Sequence, residues 1–79
     1  MHRIDVADLL DRFVKGNIEQ WEFDDFISVS CRDPSLEAYR REIARLPHLF
    51  PATDASHYTS KEGVGRILEI ARILRASET

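Results

Sequence analysis

The sequence predicts an all-α fold: a single small bundle of four helices with a longer loop before the last helix. Three observations lead there. Apolar residues recur at helical spacing in four separate stretches. Each stretch opens on an Asp, Asn or Thr, residues that cap helix starts. No stretch alternates apolar and polar residues as a half-buried strand does. At 79 residues the chain holds one domain, 1–79, and a chain of this size buries only about 60% of its unfolded surface. A lone cysteine, Cys31, allows no internal disulfide, and His2, Cys31, His48 and His57 lack paired zinc-ligand spacing. Stability then depends on close helix packing, or on a partner or second copy that completes the core.

The first helix is expected over 5–15, capped by Asp5 with Asp8 behind it, and buried through Val6, Leu9, Leu10, Phe13 and Val14. Gly16 stops it in a left-handed turn. The second helix is expected over 18–31, capped by Asn17. Its stretch NIEQWEFDDFI holds three aromatics and four acids. At about 100° per residue Phe23, Phe26, Ile27 and Ser30 share a face, and Trp21 falls nearly opposite, beside Asp25. A start near Asp24, with 18–23 as a turn, would relax that conflict.

The third helix is expected over 34–46. Asp33 caps it, Pro34 takes its first position, Leu36, Tyr39, Ile43 and Leu46 form its buried stripe, and Pro47 ends it. A loop follows, which Leu49, Phe50 and Tyr58 are expected to pin to the core. The last helix is expected over 60–76, with Thr59 and Glu62 as a capping box and Ser60 as the rival cap. Val64, Ile67, Leu68, Ala71 and Leu74 make its stripe and Ile70 and Ile73 widen it, so it should pack on two sides.

Charge divides the chain. Residues 1–39 carry nine acids and four bases, and residues 40–79 carry five acids and seven bases. Net acidity, −3 overall, disfavours general nucleic-acid binding, which needs cations to neutralise phosphates. The simplest expectation is that the acidic half pairs with the Arg-rich half; the sharper one is an acidic surface that meets a basic partner. MHRIDVADLL has no apolar run of signal-peptide length and no stretch suits a membrane span, so a cytoplasmic protein is expected.

Chemistry-bearing clusters are few. Asp24 and Asp25 point about 100° apart on a helix, so they read as a solvated face. Asp54, Ser56 and His57 are the letters of a triad within one loop, without a nucleophile elbow or oxyanion hole, and read as turn chemistry. Cys31 beside Arg32 reads as a small buried hydrophobe before a reactive thiol. Gly63 and Gly65 open the last helix as they do in helix-hairpin-helix DNA-binding modules, but Glu62 and Glu69 stand where those modules have a proline and a small residue. Close packing is the plainer role for these glycines. Arg40, Arg41 and Arg45 suit ion pairing or, less simply, phosphate. No residues converge on an enzymatic reaction, and no cofactor or metal is implied. Trp21 has two readings: packed over the first or last helix with its N–H on a carboxylate, or exposed as the anchor of an interface with a charged rim.

The outline FVKGNIEQWEFDDFI, DPSLEAYRREI, LFP and EGVGRILEIARIL, over roughly residues 12–75, resembles a group of small, uncharacterised bacterial helical proteins. That resemblance implies a helical bundle and no activity. More loosely, the chain is similar to immunity proteins of bacteriocin nucleases, small acidic four-helix proteins with a loop before the last helix. Their paired tyrosines in that loop are represented only by Tyr58, and no site residue carries over.

The expected function is non-enzymatic protein binding, of which immunity- or inhibitor-type action is one form. Trp21, Glu22 and Asp25 would contact a basic partner. One alternative is a nucleic-acid module using Gly63, Gly65, Arg66, Arg40, Arg41 and Arg45. Another is a structural homodimer whose shared core hides Trp21.

Overall fold

A computed structural model describes residues 2–54 and 57–77. Four helices follow in order: α1 (Arg3–Lys15), α2 (Gln20–Ser28), α3 (Pro34–Leu49) and α4 (Lys61–Ser77), with no strand among the described residues. The all-α bundle is as the sequence predicted, and its helix ends differ in instructive ways.

α1 and α4 are the most closely packed pair. They run antiparallel: Val14 near the end of α1 and Val64 near the start of α4 line one cleft, while Arg75 near the end of α4 reaches back to Asp8 and Asp11. α3 packs against both α2 and α4. α4 is therefore covered on two sides, as its wide apolar face required. The core combines Val6, Leu9 and Leu10 of α1, Phe23 and Phe26 of α2, Leu36, Ile43 and Leu46 of α3, and Ile67, Ile70 and Leu74 of α4. Each such side chain, fully buried, contributes about 1.5–3 kcal/mol over its exposed state. On α4 the stripe is rotated from the expected one: Ile70 is fully buried and Leu68 is exposed.

α1 begins two residues before the expected Asp5. Asp5 occupies the third helical position, where its carboxylate accepts the His2 backbone N–H at 3.3 Å. Gly16 ends α1 at φ 77°, and the Asn17 N–H closes back on the Arg12 carbonyl at 2.8 Å. That bond commits Asn17 to the end of α1, so it does not open the next helix. α2 starts instead at Gln20, with Glu22 accepting the Glu19 N–H at 3.3 Å.

α2 also stops short of the expected residue 31. Arg40 donates to the Ile27 carbonyl at 2.6 Å, and Glu37 accepts the Cys31 N–H at 2.9 Å. Both partners stand on α3, and they draw residues 29–31 out of helical register. Cys31 thus lies in the connection after α2, half-buried against the core.

α3 opens as predicted, with Asp33 accepting the Ser35 N–H at 2.9 Å. It does not end at Pro47 but continues to Leu49. Proline has no N–H, so the Ile43 carbonyl one turn earlier loses its helical donor. The Tyr58 hydroxyl replaces that donor at 2.9 Å. Next to it, the buried Thr59 hydroxyl donates to the Phe50 carbonyl at 2.6 Å, and the Ser60 N–H meets the same oxygen at 3.0 Å. The loop is therefore pinned by Tyr58 and Thr59, whereas Leu49 and Phe50 are exposed. With Thr59 so engaged, Ser60 is the residue that caps α4, its hydroxyl facing the Gly63 N–H at 3.5 Å.

A candidate docking face on the second helix

The inward side of α2 is filled by rings. Phe23 stacks on Phe13 at 3.8 Å between centroids and meets Tyr58 edge-on at 4.9 Å; Phe26 stands 6.4 Å from Phe23. Ile27 widens that side. The flank toward α1 is occupied by an ion pair, Arg12 with Glu22 at 3.1 Å. Trp21 accordingly points outward and is 67% exposed. Its packing over α1 or α4, one of the two readings of the sequence, is thereby overturned.

Trp21, Asp24, Asp25 and Ser28 share the outward face, at positions i, i+3, i+4 and i+7, and all are exposed. The structure brings Trp21 and Asp25 one helical turn apart, as predicted. It separates Glu22 from them, since Glu22 turns toward Arg12 and keeps a side-chain exposure of 22%. Asp24 belongs to the face as well, beyond the expected contacts Trp21, Glu22 and Asp25. Its three-residue spacing from Trp21 was the available signal.

Most other acids have a cationic partner. Asp33 pairs with Arg3 at 3.0 Å, and Arg75 holds both Asp8 and Asp11. Glu37 takes Arg40 at 2.6 Å and Arg41 at 2.9 Å, and Arg66 holds Glu42 and Glu69. These pairs set the local titration. Hydrogen bonding from Arg40, then from the Cys31 N–H, holds the Glu37 carboxyl far below the ordinary carboxylate range. Arg66 lowers Glu42, and Arg3 lowers Asp33 with help from the Ser35 N–H. Burial, with a smaller push from Asp24, raises the Tyr58 phenol, so Tyr58 stays a hydrogen-bond donor at neutral pH. The expected pairing between the two halves of the chain holds only in part. Arg40, Arg41 and Arg75 cross the divide, while Arg3, Arg12 and Arg66 find carboxylates in their own half. Asp24 accepts from Gln20 at 3.2 Å, and neither it nor Asp25 has an ion-pair partner among the described residues.

The residues of the nucleic-acid alternative are differently engaged. Arg40 and Arg41 are drawn to Glu37, Arg66 is drawn to Glu42 and lies 5.9 Å from the Tyr39 ring, and Arg45 is exposed. Gly63 is buried, and a Cβ there would fall 2.1 Å from the Thr59 hydroxyl oxygen, so its role is close packing. Gly65 is exposed, and a Cβ added there would meet nothing within 4 Å. Of the triad letters, Ser56 lies outside the described residues; the His57 N–H meets the Asp54 carbonyl at 3.0 Å, which is turn geometry. Among the described residues, no three His, Cys, Asp or Glu gather as metal ligands, and no helix is long and apolar enough to cross a membrane.

No family model, curated protein or solved structure matches this chain.

Proposed function

We propose that this domain is a non-enzymatic binding module that docks a basic protein partner on the outward face of α2. One observation carries the reading: Trp21 is 67% exposed on a helix whose other rings are buried, flanked by Asp24 and Asp25 that no cation of the described residues neutralises. Exposed tryptophan is a rare and energetically strong interface residue, and unpaired carboxylates around it steer and select a positive partner. Trp21 supplies the anchor, and Asp25 and Asp24 the charged rim. Glu22 contributes indirectly, by fixing α2 to Arg12. Inhibition of a toxin through a basic surface, as an immunity protein does, is one concrete form of this function.

Selection of binders from a random peptide display library tests it. The wild-type domain should enrich peptides rich in Lys and Arg, and the double variant Trp21→Ala/Asp25→Asn should lose them while keeping its helical circular dichroism. Equal enrichment by both proteins would reject the reading. Light scattering at two concentrations distinguishes the homodimer, in which Trp21 would be covered by a second copy.

A further inference from the structure

We propose that the cleft beside Asp25 receives an arginine side chain of the partner, so that α2 recognises a particular residue and not merely positive charge. This inference rests on the reading of α2 as the docking helix and names the chemistry that it reads.

The cleft lies between the end of α2 and the start of α3 and has a volume of about 340 Å³. Its lining includes Asp25, Phe26, Val29, Cys31, Arg32 and Asp33. Phe26, Val29 and Cys31 supply an apolar wall, and Val29 is 56% exposed. Asp25 is the exposed carboxylate on the lip. The other carboxylate, Asp33, is already engaged on both oxygens, by Arg3 at 3.0 Å and by the Ser35 N–H at 2.9 Å. An apolar wall that ends in one free carboxylate matches a side chain with an aliphatic stem and a cationic head.

Arginine fits better than lysine because Trp21 stands one turn before Asp25. Side chains at that spacing are neighbours on a helix surface. A guanidinium held by Asp25 can lie against the indole, and its planar, weakly hydrated head stacks on aromatic faces where an ammonium is better solvated by water. Arg32 is the opposing charge in the same cleft. It gives the site a sign that can be tested: removing it should strengthen binding of a cation and weaken binding of an anion.

The chain carries one tryptophan and one cysteine, and they sit at the two ends of this surface as native reporters. The full chain would be titrated with a short peptide alternating arginine and alanine, and with the same peptide carrying citrulline, which keeps the shape and lacks the charge. Trp21 fluorescence and the rate of Cys31 alkylation by neutral iodoacetamide are read together. The arginine peptide should shift Trp21 emission and slow Cys31 alkylation severalfold, and the citrulline peptide should do neither. Asp25→Asn should weaken the arginine peptide by about tenfold, and Arg32→Ala should tighten it by about threefold, on the scale of exposed charge–charge terms. A Trp21 response with unchanged Cys31 alkylation overturns the cleft and leaves the docking face standing. Equal binding of the two peptides, or weaker binding by Arg32→Ala, overturns the arginine assignment. Silence of both reporters overturns the inference, and the display selection then decides the docking face on its own result.

Discussion

The α1–α4 pair and the outer face of α2 use their charges in opposite ways. Along α1 and α4, Asp8 and Asp11 share Arg75, and Arg66 ties α4 to Glu42 on α3. Those carboxylates are part of how the helices register on each other. On α2, Asp24 and Asp25 flank an exposed ring and have no such partner among the described residues. The same residue types thus tie helices together in one region and stand without a described ion-pair partner in the second. The rings of α2 repeat the contrast: Phe23 and Trp21 are two residues apart, one 1% and the other 67% exposed.

The largest effect should come from breaking the inner side of that contrast. Phe23→Ala removes a ring stacked on Phe13 and should cost about 3–5 kcal/mol, enough to unfold so small a domain at room temperature. Urea denaturation followed by circular dichroism measures it. Next come the two glycines of α4. Gly63→Ala drives a methyl into Thr59 and should destabilise by about 1–3 kcal/mol, whereas Gly65→Ala, in open space on the same helix, should stabilise by up to about 1 kcal/mol. Opposite shifts in thermal midpoint would show that packing, not phosphate approach, sets the first glycine. Tyr58→Phe should cost about 1 kcal/mol, because the Ile43 carbonyl loses its donor. In a Pro47→Ala background that cost should shrink, since residue 47 then brings its own N–H.

Acid should loosen the paired carboxylates in a gentler way. Glu37, Glu42 and Asp33 have folded-state pKa values below their unfolded ones. Their contribution to stability is complete above the unfolded values, near 4, and is lost as pH falls from there through the folded values. Glu37→Gln should flatten the acid limb of a stability–pH curve. The smallest effect should be Trp21→Ala, within about 0.5 kcal/mol, because an exposed ring contributes little to the fold. A larger loss would mean that Trp21 packs in solution.

Local chemistry made the helices and their order legible: Asp33–Pro34 opening α3, Gly16 closing α1, and the apolar spacing of Val6, Leu9, Leu10 and of Ile67, Ala71, Leu74. The ends that were misread are those settled by residues far away in sequence. Ser28 ends α2 because Arg40 takes the Ile27 carbonyl and Glu37 the Cys31 N–H, the two groups that a continuing helix would pair. Thr59 leaves the capping role because the Leu46 and Phe50 carbonyls at the end of α3 take its hydroxyl. Within the candidate face, periodicity placed Trp21 opposite the core correctly. It had no access to the Arg12 partner that withdraws Glu22, nor to the absence of a described cation near Asp24.

The Tyr58 hydroxyl also bears on the order of folding. The last turn of α3 passes through a proline and is completed by a side chain fifteen positions after Ile43. That turn is not a local property of its own segment. An isolated peptide of residues 34–49 should be helical up to about Leu46 and frayed beyond it. In the whole chain, amide exchange at Leu49 and Phe50 should slow only once the loop has closed. Helix α3 is in this sense finished late, by the arrival of the segment that starts α4.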